Sequence, residues 1–140
     1  MTSSGKGQIA LPFVLLISGI IIEIVIAGSF VTYFASGSGY SSRLQARAWA
    51  AAMSGVQDAL VKIAKDKEFA PSTVQYEFTL DTDTATVTVS RTPDATGQYY
   101  VYTVTSLGSA GSRQKELTAT AVVHQTTGAL QLQSVVDTPL

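Results

Sequence analysis

Chemistry at a protein site needs side chains that take up, release or share charge, and this chain has few of them in useful combinations. Its 140 residues include one histidine, His124, no cysteine, and ten carboxylates against nine lysines and arginines. A nucleophile and its base must lie within hydrogen-bond reach of each other. The sequence has no G-x-S-x-G elbow, no glycine-rich phosphate loop, and no acids clustered around His124. Catalysis is not expected. Asp81 and Asp83 have the spacing of two cation ligands, but the glycine and distal glutamate of an EF-hand loop are missing. Zero cysteines exclude disulfides and thiolate metal sites. No metal or cofactor is expected, and a net charge of −1 supplies no basic surface for nucleic acid.

The informative titratable residue is Glu23, because of its surroundings. From Ile9 to Phe34 the chain reads IALPFVLLISGIIIEIVIAGSFVTYF, and Glu23 is the only residue in it that is ordinarily charged at neutral pH. Sixteen of these residues are Leu, Ile, Val or Phe, each contributing roughly −0.3 to −0.6 kcal/mol to insertion against about +3 kcal/mol for a central carboxylate. As a helix the segment would be roughly 39 Å long, enough to cross a ~30 Å hydrocarbon core. A carboxylate at this depth is protonated, turned into a protein interior, or paired. An assembly contact with a neighbouring helix and a tolerated carboxyl in an isolated anchor both fit. Gly19 and Gly28 would permit close helix approach, although GxxxG spacing is missing. Tyr33, Phe34 and Tyr40 suit an interfacial belt. Lys6 on one flank balances Arg43 and Arg47 on the other, so charge leaves orientation open. A cleaved secretory signal ending near Ala27-Gly28-Ser29 is the competing reading.

The elements that follow must carry whatever this segment anchors. Ser36-Gly37-Ser38-Gly39 is expected to form a hinge over residues 36–43, centred on Gly37 and Gly39, since glycine weakens a helix. Leu44 to Ile63 places Leu44, Ala48, Ala51, Ala52, Gly55, Val56, Ala59, Leu60 and Ile63 at helical spacing. This predicts an amphipathic helix over residues 44–68 with a narrow, Ala-rich face, flanked by Trp49 and Met53, ending before Pro71. Residues 72–125 change to period two. Val74, Tyr76, Phe78 and Leu80 alternate with polar residues, as do Ala85, Val87 and Val89, and further strands are expected over Tyr99–Leu107 and Arg113–His124. Turns are expected at Asp81-Thr82-Asp83, Pro93–Gly97 and Gly108–Ser112, giving an antiparallel meander of about four strands. Leu117, Ala119, Ala121 and Val123 should face the core, with His124 on the solvated face. Residues 126–140 are a tail or an edge strand. The expected fold is α+β, a long N-terminal helix packed on a small antiparallel sheet.

Gly7 directly before a long apolar helix resembles the class III signal of type IV prepilins. Ala46 to Leu60, ARAWAAAMSGVQDAL, is similar to the Ala-rich stretch of minor pilins of the PilX type, and Tyr102–Gly108 with Arg113–Val123 resembles a closing pilin hairpin. The resemblance implies a leader over residues 1–7, cut by a prepilin peptidase between Gly7 and Gln8, with N-methylation at Gln8. It implies a membrane and filament-core helix over residues 8–35, an extracytoplasmic C-terminal domain, and storage in the cytoplasmic membrane before entry into a cell-surface filament. The implied partners are membrane lipid, the peptidase, other pilin-like subunits and the assembly platform. Pro12 stands at the fifth mature position, where major pilins usually have glutamate, which points to a minor or divergent subunit. Glu23 lies about three helical turns further on and does not inherit that role. A single-pass anchored binding domain and a secreted β-rich module are the alternatives.

Overall fold

The computed structural model describes residues 10–140, which form one helix, α1 (Ala10–Lys65), followed by five strands. The strands are β1 (Val74–Leu80), β2 (Asp83–Pro93), β3 (Tyr99–Ala110), β4 (Arg113–His124) and β5 (Leu130–Thr138). They pair in sequence order, each antiparallel to its neighbour. The α+β arrangement and the meander are as expected, but the sheet has five strands where about four were predicted. The chain divides into two compact units, Met1–Tyr40 and Ser41–Leu140.

In the second unit the Ala-rich stripe of α1 lies against one face of the sheet. Ala48, Ala52, Val56, Ala59 and Ile63 are buried, as are the inward residues Val87, Val89, Val104, Ala119 and Ala121. Each fully buried valine or isoleucine contributes roughly 1.5–3 kcal/mol. The small residues of the stripe set how near the two layers come. A Cβ on Gly108 would collide with the helix backbone at Ala48 and Ala52, and one on Gly55 would collide with the Ser106 side chain. Gly108 was expected to open a turn. It lies inside β3 instead, because only glycine leaves room for the helix there, and the actual turn is Gly111-Ser112, with Gly111 at φ +56°.

Polar contacts fasten the ends of the layered structure. Arg47 forks onto Asp83 at 2.7 and 3.0 Å and donates to the Thr82 hydroxyl at 2.6 Å. Asp83 therefore begins β2 and holds the helix to the β1–β2 connection, and Asp81 occupies the turn at φ +58°. At the other end the buried Tyr102 hydroxyl lies 2.6 Å from the Lys67 carbonyl and 2.8 Å from that of Phe69, as donor to the segment after the helix.

Two further expectations change, and one left open is decided. The amphipathic helix ends at Lys65, three residues before the expected limit, and Asp66 and Lys67 begin the turn. Residues 36–43 are helical throughout, because a cost of about 1 kcal/mol per glycine leaves the backbone hydrogen bonds of Gly37 and Gly39 intact. Of the two readings of residues 126–140, tail or edge strand, the structure has the edge strand over Leu130–Thr138. β5 was hard to recognise because Gln133 is an extra residue opposite Thr120/Ala121, which breaks the alternation of its apolar positions.

Candidate functional site

The first unit, over its described residues, is a helix with no core of its own to serve. At 100° per residue, Leu15, Leu16, Ile17, Ile20, Ile21, Val25 and Phe30 point to every side of the cylinder, and exposure of its large apolar residues runs from 41% at Ile17 to 76% at Tyr33. In a helix packed on its own chain, one stripe would be covered and the opposite face polar. Here no part of the apolar window is buried, and this is the single helix among the described residues that is long and apolar enough to cross a membrane.

The polar atoms within it are mostly self-contained. The Ser18 hydroxyl donates to the Val14 carbonyl at 2.8 Å, Ser29 to Val25 at 2.8 Å, and Thr32 to Gly28 at 2.9 Å. Such bonds to the preceding turn let hydroxyls sit in a solvent that offers no partners. Glu23 differs. It is exposed on the helix surface, and no side chain among the described residues partners it. It is the one carboxyl in the segment, and its needs must be met from outside the described residues.

Of the predicted assembly residues, Pro12 lies in the N-terminal part of the helix, and Gly19 and Gly28 leave open space where a side chain would stand. Gly19 and Glu23 are four residues apart and share a side. Gly28 belongs to a stripe missed in the sequence, Gly28, Thr32 and Ser36, which lines a shallow recess with Val25, Ser29 and Tyr33. The signal was the four-residue spacing of small residues of mixed type, which a search for glycine pairs overlooks. Gly37 and Gly39 likewise have nothing near them. Tyr33 and Phe34 meet edge to face at 6.0 Å. Gly7 and Gln8, the expected cleavage junction, lie outside the described residues.

The residues whose types could do chemistry are dispersed. Asp83 is engaged by Arg47, and no group of three or more potential metal ligands occurs among the described residues. His124 stands on the outer sheet face as expected, but it is half-buried, its Nδ1 accepts the Thr126 and Thr127 amides at 3.2 and 3.3 Å, and its ring meets Tyr99 edge-on at 5.0 Å. No protein-family model, curated protein or solved structure matches this chain.

Proposed function

We propose that the chain is a structural subunit, of the minor pilin or pseudopilin kind, of a type IV pilus-like filament. The observation that carries the reading is the helix of the first unit, apolar around its whole circumference, unburied, and interrupted by one carboxyl that no described side chain partners. A surface of this kind is satisfied by lipid or by other helices of the same character, and a filament subunit uses both in turn. The helix is first stored in the cytoplasmic membrane with the C-terminal domain outside. Hydrolysis of the Gly7–Gln8 bond by a prepilin peptidase then frees a new amino terminus, and extraction exchanges lipid contacts for helix–helix contacts. Glu23 would find its partner in a neighbouring subunit at that step. The role is mechanical and associative.

The test is intact mass and N-terminal sequencing of the protein recovered from its native membrane or surface fraction. The expected chain starts at Gln8, with methylation of that amine. A start at Met1 or Thr2 would replace the reading with a permanent single-pass anchor. One near Phe30 would replace it with a secreted module.

A further inference from the structure

The outer face of the sheet is mostly a hydroxyl surface. Thr88, Thr105 and Thr118 lie side by side across β2, β3 and β4, as do Ser90, Thr103 and Thr120. At the end nearest the β2–β3 and β4–β5 connections this composition breaks. Val101 and Val122 pair across strands on the solvent face, with Thr92 on one side and Gln131 on the other. Above them lies a recess of about 390 Å³ lined by Asp94, Tyr99, Val101, Val122, Gln131 and Gln133. A second recess, of about 220 Å³, shares Tyr99, Val122 and Gln131 with it and adds His124.

The walls are set in advance. The Gln125 amide donates to the Gln98 carbonyl at 2.9 Å, tying the two connections together, and the Asp94 amide donates to the Tyr99 carbonyl at 2.9 Å. Asp94 Oδ2 accepts the Thr96 hydroxyl at 2.7 Å, and the Ala95 and Thr96 amides also donate to the carboxylate, which fixes it at the rim of the recess. With Nδ1 of His124 accepting two amides, its Nε2 is the nitrogen left to donate.

We propose that this recess binds a single neutral sugar ring. The half-exposed Tyr99 ring and the valine pair offer an apolar platform for the C–H face of a pyranose. Asp94, Gln131 and Gln133 present planar groups that accept and donate to neighbouring hydroxyls in pairs. Among the described residues no lysine or arginine lines either recess, so phosphate and carboxylate ligands are disfavoured. The ligand is therefore a neutral monosaccharide or the exposed residue of a neutral glycan chain.

The experiment uses the full-length chain, ¹⁵N-labelled, in lipid nanodiscs free of glycosidic detergent. It is titrated with methyl glycosides of glucose, galactose, mannose and N-acetylglucosamine, with a neutral trisaccharide, and with glucose 6-phosphate. The expected result is saturable amide shifts confined to residues 94–101 and 122–133, with a dissociation constant of about 1 mM for at least one neutral sugar. Saturation by the monosaccharide alone marks a single-ring site, and at least tenfold tighter binding of the trisaccharide marks a chain-end site. Tyr99→Ala should weaken binding at least tenfold and Gln131→Ala several-fold, whereas Tyr99→Phe and Thr86→Ala bind normally. Absence of saturable shifts with every neutral sugar overturns the proposal. So does equal or tighter binding of glucose 6-phosphate, or unchanged affinity in both Tyr99→Ala and Gln131→Ala.

Discussion

The two parts of α1 differ in which residues they expose and which they bury. Between Leu11 and Tyr40 the large aliphatic and aromatic side chains are exposed, and between Leu44 and Ile63 the buried stripe is mostly alanine. Hydrophobicity alone would assign the core to the first part. What decides is how closely a partner approaches. The sheet comes so near the second part that Gly108 and Gly55 have no room for a Cβ, and only small residues fit. The first part carries bulk on all sides, which suits a surrounding without fixed shape, such as lipid, or neighbours that pack around it.

The comparison breaks most sharply at the close approach. Gly108→Val drives a branched side chain into the helix backbone and should cost about 3 kcal/mol or more, read as loss of the cooperative thermal transition. Gly28→Val, where nothing lies near the glycine, should leave that transition unchanged. The next effect lies on the membrane side. Ile22→Arg adds about 3 kcal/mol to insertion and should move the chain from the carbonate-resistant to the extractable fraction. Val136→Arg, on the exposed edge strand, should leave the distribution as it was.

A smaller effect sharpens the second unit. The Tyr76 hydroxyl donates to Asp58 at 2.7 Å, and Lys62 reaches the same carboxylate at 2.8 Å while lying over the Tyr76 ring. Burial pushes the Asp58 carboxyl up, but the hydrogen bonds from Lys62 and Tyr76 and the charges of Lys62 and Lys65 outweigh it and hold it below its ordinary value near 3.8. Its contribution is present above that pH and is lost as pH falls through the lower folded value. Burial, then the bond to Asp58 and its charge, push the Tyr76 phenol up. That contribution is present below about pH 10 and is lost as pH rises through the higher folded value. Stability should form a plateau between about pH 4 and 10. Tyr76→Phe should lower the plateau by about 1 kcal/mol and flatten its alkaline shoulder. The smallest change is Ser106→Ala. This buried hydroxyl has no hydrogen-bond partner among the described residues, so removing it should raise stability by about 0.5 kcal/mol.

Much of the second unit was legible because burial on one side imposes a period. Val74 to Phe78, Ala85 to Val89 and Leu117 to Val123 alternate as strands that face a helix. β5 was less legible because its inward positions Leu132 and Val135 are only partly covered and its bulge shifts the pattern. Gly108 was misread as a turn because glycine serves both turns and close approaches, and only the packing of the helix distinguishes them. The apolar helix was plain from composition, but the Gly28, Thr32 and Ser36 stripe was not. The recess around Tyr99 was invisible in the sequence, since strand register alone brings Asp94, Val101, Val122 and Gln131 together.

The most direct test of the division between the two parts of α1 uses the absence of cysteine in the native sequence. Single cysteines are placed at Ile21, Ile24, Val25, Gly28 and Thr32, and at Ala52 and Ala59, in the full-length chain in its native membrane and surface fractions. Under mild oxidation the account predicts copy-to-copy disulfides at a helical subset of the first group and none at Ala52 or Ala59. Failure to cross-link at all five positions of the first group would contradict the account and leave the helix an isolated anchor.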